Sequence, residues 1–224
     1  MAKRPLVVAF DVLETLFPLD PLRSRLEKAG QPPHLLQLWF ARLLRDAFAL
    51  TASGAYQPFP QIAKAALSAV TQEELSDEAI EQVVSGFREL DPHPDAEAAL
   101  RRARDLGLRV VTLTNGSAAN TRALLERSGL AALVERVVSV EEVQRWKPAP
   151  EPYWHVAQAC QVPPERVALV AAHAWDVHGA HRAGLTTGWV SRLEDRFPNV
   201  FEPPDVTGPD LVTVVDRLLE LPDT

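Results

Sequence analysis

The sequence predicts an α/β protein: a parallel sheet with helices on both faces, interrupted after its first strand by an all-helical insertion. Three observations carry this prediction. The apolar run Leu6 to Phe10 reads as a strand buried on both faces, and it stops at Asp11. Residues 18–94 show helical periodicity and no strand pattern. From residue 95 onward, helix and strand patterns alternate, as a parallel sheet with crossover helices requires. The expected division is a core of 1–17 and 95–224 and a helical domain of 18–94.

Each element has a local reason. In the insertion, Leu35, Leu36, Leu38, Trp39, Leu43 and Leu44 recur at helical spacing. Ile62, Ala65, Ala66, Ala69 and Val70 repeat the pattern, as do Ile80, Val83, Val84 and Phe87. Three or four such helices make a small bundle, its corners marked by Pro32-Pro33 and Pro58 to Pro60. Ala96 to Leu106 reads as a helix closed by Gly107, and Leu108 to Leu113 as a strand. Thr121 to Arg127 is helical, Val137 to Val140 a short strand, Pro152 to Gln161 helical and Val167 to Ala172 an apolar strand. Trp175 to Ala183 is a helix closed by Gly184, Thr186 to Val190 a strand, and the last helix lies near Leu211 to Leu219.

Composition narrows the class. Of 224 residues 46% are hydrophobic and 24% charged, the balance of a water-soluble globular chain. A net charge of −7 without a basic stripe argues against nucleic-acid and anionic-membrane partners. The lone Cys160 cannot form an intrachain disulfide, which fits a reducing, cytoplasmic setting. Asp11 interrupts the first apolar run too early for a secretory signal, and no run approaches the roughly 20 residues of a membrane span.

The chemistry collects at the predicted carboxyl ends of strands, where open α/β sheets bind ligands. Asp11 is a candidate nucleophile or base, with Thr15 four residues on. Thr114, Asn115 and Ser117 form either a cradle for a carboxylate, phosphate or halide or simply a good turn and helix cap around Gly116. Lys147 precedes a Pro-led helix start; beside Asp11 it would keep that carboxylate ionised. Asp176 follows the apolar strand that ends at Ala172, and stands to cap the next helix or to orient Lys147 and a water.

These four stations, D-x-x-x-T-L-F, T-N-G-S, K-P-x-P-x-x-Y and H-A-W-D-x-x-G-A, occur in this order over nearly the whole chain. Together they resemble the L-2-haloacid dehalogenase branch of the haloacid dehalogenase superfamily. The resemblance implies a Rossmann-like core, a helical cap, no metal and commonly a homodimer. It implies Asp11 as nucleophile supported by Thr15, Asn115, Lys147 and Asp176, with substrate contacts from Thr114, Tyr153 and Trp175. The reaction so implied is displacement of halide from a small 2-haloacid, leaving an ester on Asp11 that a water activated near Asp176 hydrolyses.

This chain departs from the family pattern at named positions. Leu13 and Glu14 stand where the family usually reads Tyr and Gly, and Phe40 follows Trp39 where an Arg usually holds the departing halide. Ala171 and His173 replace a usual Ser and Asn. Leu13, Phe40 and His173 are therefore expected to line the substrate space and to set its character. A neutral His173 beside Asp176 is a candidate base for the hydrolytic water. The alternatives are a Mg²⁺-dependent phosphatase of the same superfamily and a non-catalytic binding member. Against the phosphatase stand Leu13, which cannot protonate a leaving alkoxide, and a fourth station with one acid only.

Overall fold

The structure is a computed structural model describing residues 2–223. Six strands, β1 Val7–Phe10, β2 Arg109–Thr114, β3 Arg136–Ser139, β4 Val167–Ala171, β5 Thr186–Val190 and β6 Val206–Gly208, form one sheet in the order β3-β2-β1-β4-β5-β6. Every pairing is parallel. This is the doubly wound order, and its direction reverses between β1 and β4. Asp11 follows β1 at that reversal, where its amide donates to Val170 O at 3.0 Å. The three-residue β6 was not expected from sequence. It is an edge strand too short to show alternation, lying beyond Pro203-Pro204.

Helices cover both faces because alternate strand residues point to opposite sides and both sides are apolar. Val8, Phe10, Val110, Ala168 and Val170 pack with α5 (Ala96–Asp105), α6 (Ala118–Arg127) and α9 (Leu211–Leu219). Val7, Ala9, Val111, Leu113 and Leu169 face α7 (Pro150–Cys160) and α8 (Ala174–Arg182). Cys160 is buried in this second layer as a packed thiol. Among the described residues, no helix is long and apolar enough to cross a membrane.

Between β1 and α5 lie four helices, α1 Leu22–Lys28, α2 Leu35–Ala52, α3 Phe59–Val70 and α4 Asp77–Ser85. Trp39 organises them: fully buried, it stacks obliquely on Phe87 at 5.3 Å and donates its indole N–H to Ala63 O at 2.8 Å. The bundle is tied to the sheet by residues just before α7. Arg145 donates to Thr51 O at 3.0 Å, the Trp146 amide to Thr51 Oγ1 at 3.2 Å, and the Trp146 indole to Gln57 O at 3.2 Å.

Candidate active site

Four stretches converge at the sheet reversal. Asp11 sits at the end of β1, and both its carboxylate oxygens are engaged. Thr15 donates to Oδ2 at 2.7 Å and Lys147 to Oδ1 at 2.9 Å. The tight turn after β1 makes the first contact possible, since Leu16 and Phe17 amides return to Val12 O and the Glu14 amide to Phe17 O. Thr15 Oγ1 also accepts from the Ala172 amide at 2.9 Å, so one hydroxyl registers the nucleophile candidate against the end of β4.

Lys147 is fully buried and spends all three donors. They go to Asp11 Oδ1, to Leu113 O at 2.9 Å and to Asp176 Oδ2 at 2.5 Å. Asn115 fixes the backbone from which it extends, accepting from the Lys147 amide at 2.9 Å and donating to Lys147 O at 3.4 Å. Burial alone would strip the proton from this lysine, but Asp11 and Asp176 more than reverse that, and its pKa lies above the ordinary value. For Asp11 burial again opposes the charged form, and Lys147 and His173 overcome it, holding the carboxyl well below its usual range.

Asp176 stands behind this pair rather than in front of it. It is fully buried, with Oδ2 on Lys147 and Oδ1 accepting from the Tyr153 hydroxyl at 2.6 Å. Burial holds its pKa above the ordinary carboxylate value. Burial and then Asp176 push the Tyr153 phenol well up, so it stays a donor. Gly179 permits this packing: a Cβ there would lie 2.6 Å from both Pro148 Cβ and the Tyr153 hydroxyl.

In front of Asp11 is a cavity of about 20 Å³, space for about one water. Its floor is Asp11, Thr114, Asn115, Gly116, His173 and Trp175; its roof is Phe40 and Leu44 of α2 and Phe59 of α3, with Leu13 at the side. His173 Nε2 lies 2.9 Å from Glu14 Oε2, and Nδ1 lies 3.5 Å from Asp11 Oδ2. Phe40 and Trp175 flank its ring at 6.1 and 5.2 Å between centroids. Burial lowers the pKa of His173, but the two carboxylates reverse the effect and raise it to about 9.

Several expectations are corrected here. His173 contacts Asp11 and Glu14 rather than Asp176, and in the free protein it is an imidazolium at neutral pH. Asp176 is fully buried, with each carboxylate oxygen already accepting one hydrogen bond, and does not line the cavity where a water would stand. Tyr153 is buried behind Asp176, away from the cavity. Ser117 also lies off the cavity wall and caps α6, accepting from the Asn120 amide at 3.1 Å. Thr114 does line it, although its hydroxyl is occupied by the Gly116 amide at 2.9 Å.

Leu13, Phe40, Asn115 and Trp175 reach the cavity. Sequence reasoning missed Leu44 and Phe59. Leu44 follows Phe40 by four residues and so shares its helix face, a signal that was available. The other unforeseen feature is Glu14 as a partner: it adopts φ 63°, the left-handed region that favours glycine, and places its carboxylate on His173.

A bound Mg²⁺ does not fit these groups. Two cationic side chains already face Asp11, Asp176 is fully engaged, and among the described residues no cluster of three or more His, Cys, Asp or Glu could hold a metal.

The comparisons with known proteins agree with this architecture. A family model described as haloacid dehalogenase-like hydrolase matches residues 7–184. The chain is 28% identical to (S)-2-haloacid dehalogenase H-109 of Pseudomonas putida, covering 95% of this chain and 97% of the relative. It is 26% identical to haloacetate dehalogenase H-2 of Moraxella sp. strain B, over 93% and 95% of the two chains. Among solved structures, L-2-haloacid dehalogenase from Xanthobacter autotrophicus with chloropropionic acid covalently bound superposes with a TM-score of 0.89 at 24% identity, covering 96% and 98%. The match runs from the strand that delivers Asp11 past the helix that carries Asp176, and the chain belongs to the haloacid dehalogenase-like hydrolases.

Proposed function

We propose that this chain is a metal-independent dehalogenase of small 2-haloacids, with Asp11 as nucleophile. The observation that carries the reading is one ionised, buried carboxylate, held by Lys147 at 2.9 Å, aimed into a small cavity whose roof is apolar. An apolar roof favours a carbon–halogen bond over a hydrated phosphate dianion, and the nearness of Asp11 opposes that dianion further. Leu13 lines the cavity and offers no proton to a leaving alkoxide, which is the second argument against a phosphatase. The names of the two curated relatives point the same way.

In this reading one Asp11 oxygen attacks the halogen-bearing carbon in line, the carbon–halogen bond breaks, and halide leaves with the bonding pair. Water then adds to the carbonyl carbon of the Asp11 ester and the 2-hydroxy acid departs. Splitting one displacement into two steps is the gain of covalent catalysis. The Asn115 side-chain amide, on the cavity wall, is the polar donor available to the acid's carboxylate; Lys147, Thr15, Asp176 and Tyr153 hold the nucleophile ionised and aligned. Residues 18–94 act as a cap over a core of 1–17 and 95–224, Phe40 standing where related enzymes carry an Arg. The lone cysteine suits a cytoplasmic enzyme, and a homodimer accords with the family resemblance.

The test is halide release, read by ion chromatography, from chloro-, bromo- and fluoro-substituted short acids without added metal. Wild type releases halide; Asp11→Asn falls by at least about 10³-fold, since an amide cannot supply the nucleophile. Absence of release from every acid in wild type refutes the reading.

A further inference from the structure

We propose that His173, held by Glu14, is the general base that activates water for hydrolysis of the Asp11 ester, and that esterification of Asp11 is what frees it for that role. The inference rests on the reading of Asp11 as nucleophile given above and assigns the base of its second step.

The geometry leaves His173 as the one group able to serve. Among the described residues lining the cavity, only Asp11 and His173 carry titratable side chains, and Asp11 is the group being esterified. Lys147 has no lone pair to offer, its three donors being committed, and Asp176 is fully buried behind it, off the cavity wall. His173 Nδ1, by contrast, is buried with no hydrogen-bond partner, and its 3.5 Å approach to Asp11 Oδ2 is beyond good bonding range. A water bonded to Nδ1 at about 2.8 Å is within reach of the Asp11 carboxyl group, whose Oδ2 lies 3.5 Å from the same nitrogen. Glu14 acts as a positioning residue. It accepts from Nε2, so that Nδ1 is the nitrogen left to exchange a proton.

The charge around the ring changes with the chemistry. The groups facing His173 are Asp11 and Glu14 from the segment after β1, and the uncharged Phe40 of α2 and Trp175 of α8. Behind them, Lys147 is bonded to Asp11, and His93 Nε2 lies 3.3 Å from Glu14 O. In the free enzyme two carboxylates hold the imidazolium, with its pKa near 9. Forming the ester removes one of them and leaves Lys147 nearby, so burial then favours neutral imidazole. The proton lost from Nδ1 at this point is the one the overall reaction releases alongside halide. Neutral Nδ1 next takes a proton from water as its oxygen bonds to Asp11 Cγ. The tetrahedral intermediate breaks its bond to the substrate oxygen, which takes up the proton of the new carboxylic acid. Asp11 carboxylate and His173 imidazolium are both restored.

The experiment is a rapid-quench single turnover with 2-bromopropionate and bromoacetate, counting halide and weighing the intact protein, on wild type, His173→Gln and Glu14→Gln. Expected for His173→Gln is one equivalent of halide per chain, a standing ester adduct on Asp11, and ester hydrolysis slowed by about 10²–10⁴-fold. For Glu14→Gln the expected loss is smaller, and the acid limb of the hydrolysis rate moves to lower pH, because a carboxylate that raises the imidazole pKa is gone. Should His173→Gln fail to fold, wild type decides: ester hydrolysis rises through an ionisation in the neutral range while ester formation stays flat there. A His173→Gln enzyme that turns over at the wild-type rate without adduct overturns the proposal, as does a wild-type hydrolysis rate independent of pH. Wild type that yields neither halide nor adduct overturns the dehalogenase reading, and this inference with it.

Discussion

The floor and the roof of the cavity are built by opposite physics. The floor and the network behind it are directional: Asp11, Thr15, Lys147, Asp176, Tyr153 and Asn115 are linked by seven hydrogen bonds between named atoms, mostly between fully buried groups. The roof is dispersive: Phe40, Leu44 and Phe59 touch the same space with no polar atom in their side chains. A hydrogen-bonded site tolerates almost no change of residue type, whereas an apolar wall accepts many side chains of similar volume. In the proposed reading the chemistry is held in the floor and its supporting network, and the choice of acid in the roof.

The contrast is tested most severely at Lys147. Lys147→Met strands two buried carboxylates and should lower stability by about 3–5 kcal/mol, read by urea unfolding, besides abolishing turnover. A folded, active Lys147→Met would break the comparison outright. The next largest effect concerns pH. His173 has a folded pKa of about 9 against an ordinary 6.5, so its stabilising contribution is complete below about 6.5 and is lost as pH rises through 9. Unfolding between pH 6 and 10 should show a decline of roughly 1–3 kcal/mol in wild type that is absent in His173→Gln. Asp11 has the opposite sign: its folded pKa is depressed, and its contribution fades as pH falls below the ordinary carboxylate range.

At the roof the expected changes are in selectivity. Phe40→Ala removes a partly exposed ring and should cost about 1 kcal/mol or less, while admitting longer 2-haloacids through a lower KM. A kcat loss comparable to a floor substitution would erase the distinction between the two regions. Smallest of all is Glu14→Gly. It relieves a left-handed backbone at φ 63° but frees the unfolded chain, and the two nearly cancel, leaving stability within about 1 kcal/mol. Its effect on turnover, through the loss of the His173 partner, is the part worth measuring.

The same division governs what the sequence discloses. Asp11, Lys147 and Asp176 are legible because strand ends with charged or turn residues stand out against apolar runs, and the five longer strands were placed within about a residue or two on the same signal. The insertion helices were legible as periodicity, but α1 was not singled out, because its seven residues carry few apolar positions beyond Leu22 and Leu26. What sequence could not supply is pairing across space. Asp176 reads as a free acid until Tyr153 and Lys147 are seen to occupy both its oxygens. Glu14 reads as a liability to an acidic substrate until its carboxylate is found on His173. Phe59 reads as a helix start rather than as a wall of a cavity formed by Asp11 and Trp175, which are far from it in the chain.

Arg145 and Trp146, which grip Thr51 at the end of α2 and Gln57 just before α3, immediately precede Lys147. One short stretch thus anchors the roof and delivers the cation to the nucleophile. Admitting a ligand larger than a water means moving α2 or α3, and that motion pulls on the very strand of chain that holds the ammonium in place. The two equilibria are linked, and linkage is reciprocal. Whatever draws the roof down firms the ion pair beneath it, and whatever weakens the ion pair loosens the roof. In the proposed reading, an acid binding under Phe40 therefore helps to ready the carboxylate that attacks it, and a parted site holds a less prepared nucleophile.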